Sequence, residues 1–498
     1  MKPLNAIDAP ALFWTEPDVF QWKAEKAVGA LYAVGDVLRT AATLRASERE
    51  FLELFRWSET VPAQPFQQVA VDPRFYHWAR LAFQLLTAVR GGVELPPTAR
   101  AYLKATGIDS VRTLLDTHLA QYKTFVLALA ILEGRAVNFS PLPVRLPFAI
   151  PATHWSFTGD AELALAGLRC PGIARAVVSG VVVDLPLPST SLEWSSALRI
   201  EVAPTIEQAG RALVLQPHAF NVPGLRDIAS VVSAGVPYQW ASADTLRAAL
   251  DWMQIYAPDT HAQFFHGMRV VALKPPFTGR VQNTSCSRLP GAAMFTTTAE
   301  PVTLAEDLIH EFYHNRLFGL EEQGDFLSVR DFDPVADEQF YSPWREDPRP
   351  LYGLLHATYV FERVLDYWLA VFEHATLGQR VSQYAAARVA SLRIQLEVAS
   401  QQLRRYAAFT PFGQSLFDAL TCLVAAGAAE ADRLGIDAGT VSGTLNTMGH
   451  LVFHDDVNDQ PSTVADSLRR HRERFDAFQR LEGIRRDCSP TVQSLYWK

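Results

Sequence analysis

The run Leu308-Ile-His-Glu-Phe-Tyr-His314 places a carboxylate, Glu311, between two imidazoles, His310 and His314, four positions apart. On an α-helix, that spacing sets both rings one turn apart on the same face, within reach of one metal ion. The carboxylate then stands beside the ion's open coordination position, where chemistry happens. The plainer account is a buried helix whose histidines are satisfied by hydrogen bonds. It must find partners for His, Glu and His on one nearly continuous apolar helix. We therefore read these five residues as a metal site. Thr303 and Glu306 match a Thr-x-x-Glu capping box at the helix start, and Gly319 is placed to end it.

Two imidazoles underhold an ion, so a third protein ligand is expected downstream. Asp333, Asp337, Glu338, His356, Glu362 and Asp366 have suitable side chains. His356 lies in the apolar helix start Leu354-Leu-His-Ala-Thr-Tyr359, where a lone imidazole needs either a metal or a backbone carbonyl. Glu362 heads a Glu-x-x-x-Asp pattern with Asp366, and peptidases of the two-His-one-Glu type take a third zinc ligand from such a second helix. His356 and Glu362 are six apart on one helix and face different sides, so only one is expected at the metal. Just before that helix, Arg345 and Arg349 sit four apart in the proline-stiffened loop Tyr341–Pro350. Arginine grips a carboxylate at two points, which suits a small dicarboxylate or an acidic side chain. The alternative is that they fasten the loop by pairing with Asp331, Asp333, Glu346 or Asp347.

These groups need a scaffold, and the chain is long enough for two to four domains at 498 residues. An apolar share of 49% with 20% charge describes a folded protein with plenty to bury. A net charge of −8, with lysine and arginine scattered, argues against nucleic acid as the main partner. Met1–Phe20 lacks the marks of a secretory signal, and no 18-residue apolar run is free of charge. A cytoplasmic protein without a membrane span is the expectation. Cys170, Cys286, Cys422 and Cys488 lie far apart, as reduced thiols do, and offer no cysteine zinc site.

The expected fold class is α+β, mainly α. Residues 1–135 read as a helical N-terminal region, with apolar residues at helical spacing over 17–57, 73–90 and 96–134. Breaks fall at Val61–Pro65 and Gly91-Gly92. From 136 to 222, prolines punctuate short β-branched runs, a β-rich module. Residues 223–379 form the metal-site region, with a helix over Ser242–Tyr256, a strand near Met268–Leu273 and an extended approach over Gly279–Phe295. A zincin-like catalytic helix follows, then the loop 321–350 and a long helix from Pro350 to Ala375. Residues 380–498 read as a helical C-terminal region. An edge strand beside a metal helix could pair with an extended peptide backbone.

The metal motif, followed about 27 residues on by Tyr341-Ser-Pro-Trp-Arg-Glu-Asp-Pro-Arg-Pro-Leu-Tyr-Gly-Leu-Leu-His-Ala-Thr-Tyr-Val-Phe361, resembles the HExxH-motif peptide-modification proteins. These are encoded beside ribosomally made natural-product precursors. The likeness spans roughly 280–370 and includes Ser285-Cys-Ser-Arg288. It implies an iron(II)- and 2-oxoglutarate-dependent β-hydroxylase acting on a side chain of a precursor peptide. Carried over by position, His310, His314 and His356 would hold iron, and Arg345 or Arg349 would take the 2-oxoglutarate carboxylate. Glu311 would orient substrate or the metal's surroundings, and the 331–350 loop would shield the site. The alternative is a zinc metallopeptidase with Glu311 as general base and Glu362 as third ligand. The peptide, the modified residue and the oligomeric state are not legible in the sequence.

Overall fold

The computed structural model describes residues 13, 18–208, 210–220, 242–274, 283–296, 300–328, 340–345, 348–374, 378–445, 451–452 and 463–486. Apolar residues three and four apart, interrupted by proline and glycine, fold the first region into α1 (Asp18–Arg39), α2 (Ala46–Ser58), α3 (Ala63–Ala70), α4 (Pro73–Gly91), α5 (Pro97–Thr106), α6 (Val111–Ala120) and α7 (Tyr122–Glu133). The stretch expected to be helical over 17–57 is thus two helices, and the Val61–Pro65 break contains the start of α3. Pro62 and Pro65 fall at the N-cap and first turn of α3, where a missing N–H costs no intrahelical bond. Asp72 caps α4 by accepting from the Arg74 amide at 2.9 Å, and Gly92 closes it at φ 63°.

The β-branched runs form β1 (Val137–Val144), β2 (Phe148–Ala149), β3 (Trp155–Gly159), β4 (Leu163–Cys170), β5 (Ile173–Val178), β6 (Val181–Pro186), β7 (Leu192–Ser195), β8 (Leu198–Val202), β9 (Thr205–Gln208) and β10 (Arg211–Leu215). Two antiparallel sheets have the orders β1-β4-β5-β6 and β2-β3-β8-β7. In the two-residue β5–β6 turn, Ser179 and Gly180 both have positive φ (48° and 84°), as a type I′ hairpin requires. Helices α8 (Ser242–Tyr256) and α9 (Pro258–Gly267) precede β11 (Val270–Lys274), β12 (Thr284–Ser285) and β13 (Ala292–Thr296). A third sheet has the order β12-β13-β11-β10-β9. Its core strands β10, β11 and β13 are parallel, flanked by antiparallel β9 and β12. Every residue of β13 is buried, as a strand covered on both faces demands.

The metal-motif helix, α10 (Pro301–Leu320), follows that sheet. Its limits correct the expected capping box. Pro301 takes the first helical position after Glu300, and Thr303 lies inside the first turn, its hydroxyl donating to the Glu300 carbonyl at 2.9 Å. Nor does Gly319 end the helix, which runs on to Leu320. Gly319 lets α1 approach: a Cβ there would lie 2.4 Å from Val19 Cγ1 and 2.9 Å from the Val19 carbonyl oxygen. Gly319→Ala should therefore destabilise the fold by about 1–3 kcal/mol through overpacking. A denaturant midpoint equal to wild type would show that α1 yields without cost.

Residues Pro17–Asp251 and His261–Glu322 make one compact unit, and Trp252–Thr260 and Gln323–Lys498, with Phe13, belong to another. In the second unit, α11 (Leu351–Glu373), α12 (Gln379–Tyr406), α13 (Pro411–Arg433) and α14 (Val464–Arg486) carry most of the structure. The last hundred residues are not wholly helical: β14 (Thr444–Leu445) and β15 (Leu451–Val452) pair antiparallel. One described helix, α13, is long and apolar enough by length and composition to cross a membrane. It includes Asp418 and buries Leu416, Phe417 and Leu420 within the unit. With 59% helix and 18% strand, the protein is α+β and mainly α, helical toward both ends around a β-rich middle.

Candidate metal centre

Almost all of α10 is buried. Its half-buried positions are Pro301, Thr303, Asp307, His310, His314 and Phe318, which from Thr303 onward recur every three or four residues and so form one stripe. Both motif histidines lie on the stripe that solvent can reach. Their Nε2 atoms stand 3.1 Å apart, with the rings inclined at 75°. Two nitrogens each about 2.1 Å from one ion lie roughly 3.0 Å apart at a right angle and roughly 3.4 Å apart at the tetrahedral angle. The separation fits two ligands of one ion and equally a hydrogen bond between the two rings.

Glu311 points the other way along the helix surface and is buried. Burial pushes its carboxyl up to about 7, against the opposing pull of hydrogen bonds from the Ser285 hydroxyl and backbone N–H. Ser285 belongs to β12, the outermost strand of its sheet among the described residues. The carboxylate next to the imidazole pair is thus held to the sheet edge. One residue past His314, the fully buried Asn315 locks the helix to the neighbouring strand. Its Oδ1 accepts from the Gly291 amide at 2.8 Å, and its Nδ2 donates to the Ala292 and Glu311 carbonyls at 3.3 and 3.0 Å. Phe312 stacks on Phe20 of α1 at 5.6 Å and contacts Phe264 of α9 at 5.8 Å. Buried Lys23 of α1 donates to Glu322 and to the Ser287 carbonyl, both at 3.3 Å, and Tyr76 donates to Glu322 at 2.6 Å.

The chain matches no protein-family model and no curated protein.

The other residues singled out in the sequence belong to the second unit. Buried His356 lies in the second turn of α11, its ring 4.3 Å from that of Tyr352. Glu362, also buried on α11, is held by Arg363 in a two-point ion pair, with both contacts at 2.5 Å. Arg363 reaches Asp366 as well, at 3.1 Å. Burial nevertheless pushes the Glu362 carboxyl up to about 7. Arg345 and Arg349 are half-buried, and Arg349 exchanges both backbone hydrogen bonds with Phe340 at 2.9 Å. Asp331, Asp333, Asp337, Glu338, Glu346 and Asp347 lie outside the described residues, as does most of the 331–350 loop. Among the described residues, no group of three or more His, Cys, Asp or Glu is arranged to hold an ion. The imidazole pair is what converges. Cys170, Cys286 and Cys422 are free thiols, and Cys488 lies outside the described residues.

Sequence reasoning missed the roles of Ser285 and Asn315. An amide in the middle of an apolar helix needs buried partners, and that signal could have flagged Asn315. Ser285 stood in the sequence only as part of the Ser285–Arg288 likeness, and nothing local gives it the role of donor to Glu311.

The raised Glu311 and Glu362 make a pH prediction; burial raises the Asp366 carboxyl as well. Between about pH 4.5 and 7, the folded chain keeps protons at Glu311 and Glu362 that the unfolded chain has released. The contribution of these two carboxyls to stability is therefore lost as pH rises through that window, while the lowered His118 and His471 act in the opposite direction over much of it. Relative to wild type, Glu362→Gln should make the change in stability from pH 5 to 7.5 more favourable by about 1–3 kcal/mol. Urea midpoints at pH 5 and 7.5 check this, and an identical slope in the variant would exclude Glu362 as a source.

Proposed function

We propose that the chain is an iron(II)- and 2-oxoglutarate-dependent oxygenase of the cytoplasm that hydroxylates a side-chain β-carbon of a ribosomally made precursor peptide. The observation that carries this over a hydrolase is the state of the two carboxylates a zinc peptidase would use. Glu311 is held by Ser285 at the sheet edge, and Glu362 by Arg363. The imidazole pair, in contrast, is turned together as metal ligands are. Bound iron would bring 2-oxoglutarate and dioxygen together, dioxygen supplying the oxidising equivalents while the keto acid is oxidised to succinate and carbon dioxide. His310 and His314 hold the ion, and His356 is assigned as third ligand from the order of the motifs. Arg345 or Arg349 takes the 2-oxoglutarate carboxylate at two points. Glu311, fixed through Ser285, orients what lies beside the metal, and Asn315 keeps the helix from sliding along its strand.

One feature favours the alternative, a zinc metallopeptidase with Glu362 as third ligand. A carboxyl raised to about 7 has the proton affinity of a general base at neutral pH. The two are separated by mixing metal-free protein anaerobically with iron(II) and then 2-oxoglutarate. We expect the weak visible charge-transfer absorption of a chelated keto acid, weakened in Arg345→Ala or Arg349→Ala and lost in His356→Ala. If no band forms, while zinc binds tightly and Glu362→Ala releases it, the peptidase account replaces ours.

A further inference from the structure

The segment bearing the two arginines is anchored by three helices of its own unit. Its described residues are 340–345 and 348–350. Trp344 stacks on Phe361 of α11, with centroids 4.8 Å apart and planes inclined by 11°. From α12, Gln395 donates to the Pro343 carbonyl at 2.8 Å and Gln402 to the Tyr341 carbonyl at 2.9 Å. From α14, Phe475 lies 5.0 Å from the Tyr341 ring and Arg472 sits over it at 4.4 Å. The Tyr341 hydroxyl meets His471 Nδ1 at 2.9 Å. Arg345 follows Trp344 directly, and the Arg349 backbone is bridged to Phe340. Both arginines therefore rise from backbone that these anchors fix.

His471 is the unusual member. It is fully buried, and burial lowers its pKa to about 4, so the ring is neutral. Nδ1 meets the tyrosine hydroxyl, and the other ring nitrogen, Nε2, has no hydrogen-bond partner among the described residues. A leucine there would avoid that unsatisfied polar atom. A buried histidine kept at such a cost, and bonded to one tyrosine, points to the tyrosine's placement as its purpose.

We propose that Tyr341 is a positioning residue which, through His471 of the C-terminal helix, sets how well Arg345 and Arg349 are placed to hold 2-oxoglutarate. This rests on the oxygenase reading of the two arginines. Tyr341→Phe deletes the hydroxyl while leaving the ring for Phe475 and Arg472. Losing one such bond is worth about three- to tenfold in an equilibrium constant. Hydrogen exchange of the 340–352 peptide in the full-length protein should quicken by that factor in Tyr341→Phe and His471→Leu. Anaerobic titration of the iron(II) protein with 2-oxoglutarate should weaken by a similar factor. His471→Asn, whose side-chain oxygen takes the place of Nδ1, should restore both. Unchanged exchange in Tyr341→Phe overturns the proposal whatever the titration shows. Faster exchange with unchanged keto-acid affinity also overturns it, provided Arg345→Ala or Arg349→Ala does weaken binding. If neither arginine variant affects the titration, the arginine assignment falls and the positioning role falls with it.

Discussion

Replacing His310 by alanine should lower metal affinity by more than about 100-fold, beyond what is typical for losing a ligand's hydrogen-bond partner. The two Nε2 atoms stand 3.1 Å apart, so each imidazole is half of the converging donor pair, and a lone imidazole holds iron or zinc poorly. The helix itself should survive. His310 lies on the one solvent-reachable stripe of α10, and alanine is the best helix former. Metal content after dialysis and the melting temperature of the metal-free protein give the two readouts. Lost metal with a nearly unchanged melting temperature supports a metal site. An unchanged affinity, or a metal-free protein that melts far below wild type, would identify His310 as a core residue instead.

Glu311 offers the second large effect, and here two substitutions divide the possibilities. Alanine leaves the Ser285 hydroxyl and amide without their acceptor and opens a small cavity, a loss of about 1–3 kcal/mol. Glutamine keeps one acceptor oxygen toward Ser285 and should cost less than half of that. Under the oxygenase reading, Glu311→Gln still binds metal and still forms the keto-acid absorption band. A general base is worth about 10²- to 10⁴-fold in rate, so a peptidase would lose nearly all turnover in the same variant. Measuring both the band and peptide hydrolysis in Glu311→Gln therefore decides what the carboxylate does. The stability of Glu311→Ala reports separately on the tie to β12.

Much of the framework could be read before any coordinates. Helix α8 begins and ends at the expected Ser242 and Tyr256, and β8 spans the expected Leu198–Val202, because both have clean periodicity and clear punctuation. The helix carrying His310 and His314 was legible as a helix but not at its ends. A Thr-x-x-Glu pattern sat two residues inside a helix already started by Pro301, and proline at the first position outweighs it. Gly319 was misjudged for a related reason. Glycine near a helix end signals a stop, yet here the missing side chain admits Val19 from a segment 300 positions away, a demand no local pattern carries. Helix α9 and the β14–β15 pair went unpredicted; the strands are two residues each and too short for periodicity to register. The grip of Ser285 on Glu311 depends on sheet register and helix placement together. Residue types alone do not encode it.

The packing of α1 on α10 has a consequence for how such proteins diverge. Val19 meets Gly319, Phe20 stacks on Phe312, and Lys23 pairs with Glu322, so three contacts join α1 to α10 and the turn that follows it, about 300 residues away in sequence. Substitutions here are constrained jointly: position 319 stays glycine because the Val19 carbonyl oxygen as well as its side chain meets it, and a reversed charge at 23 needs its opposite at 322. Relatives should therefore show covariation between the start of the described chain and the end of the metal helix. A recombinant that joins the first hundred residues of one homologue to the metal region of another should fold poorly unless both partners of each pair come from the same parent.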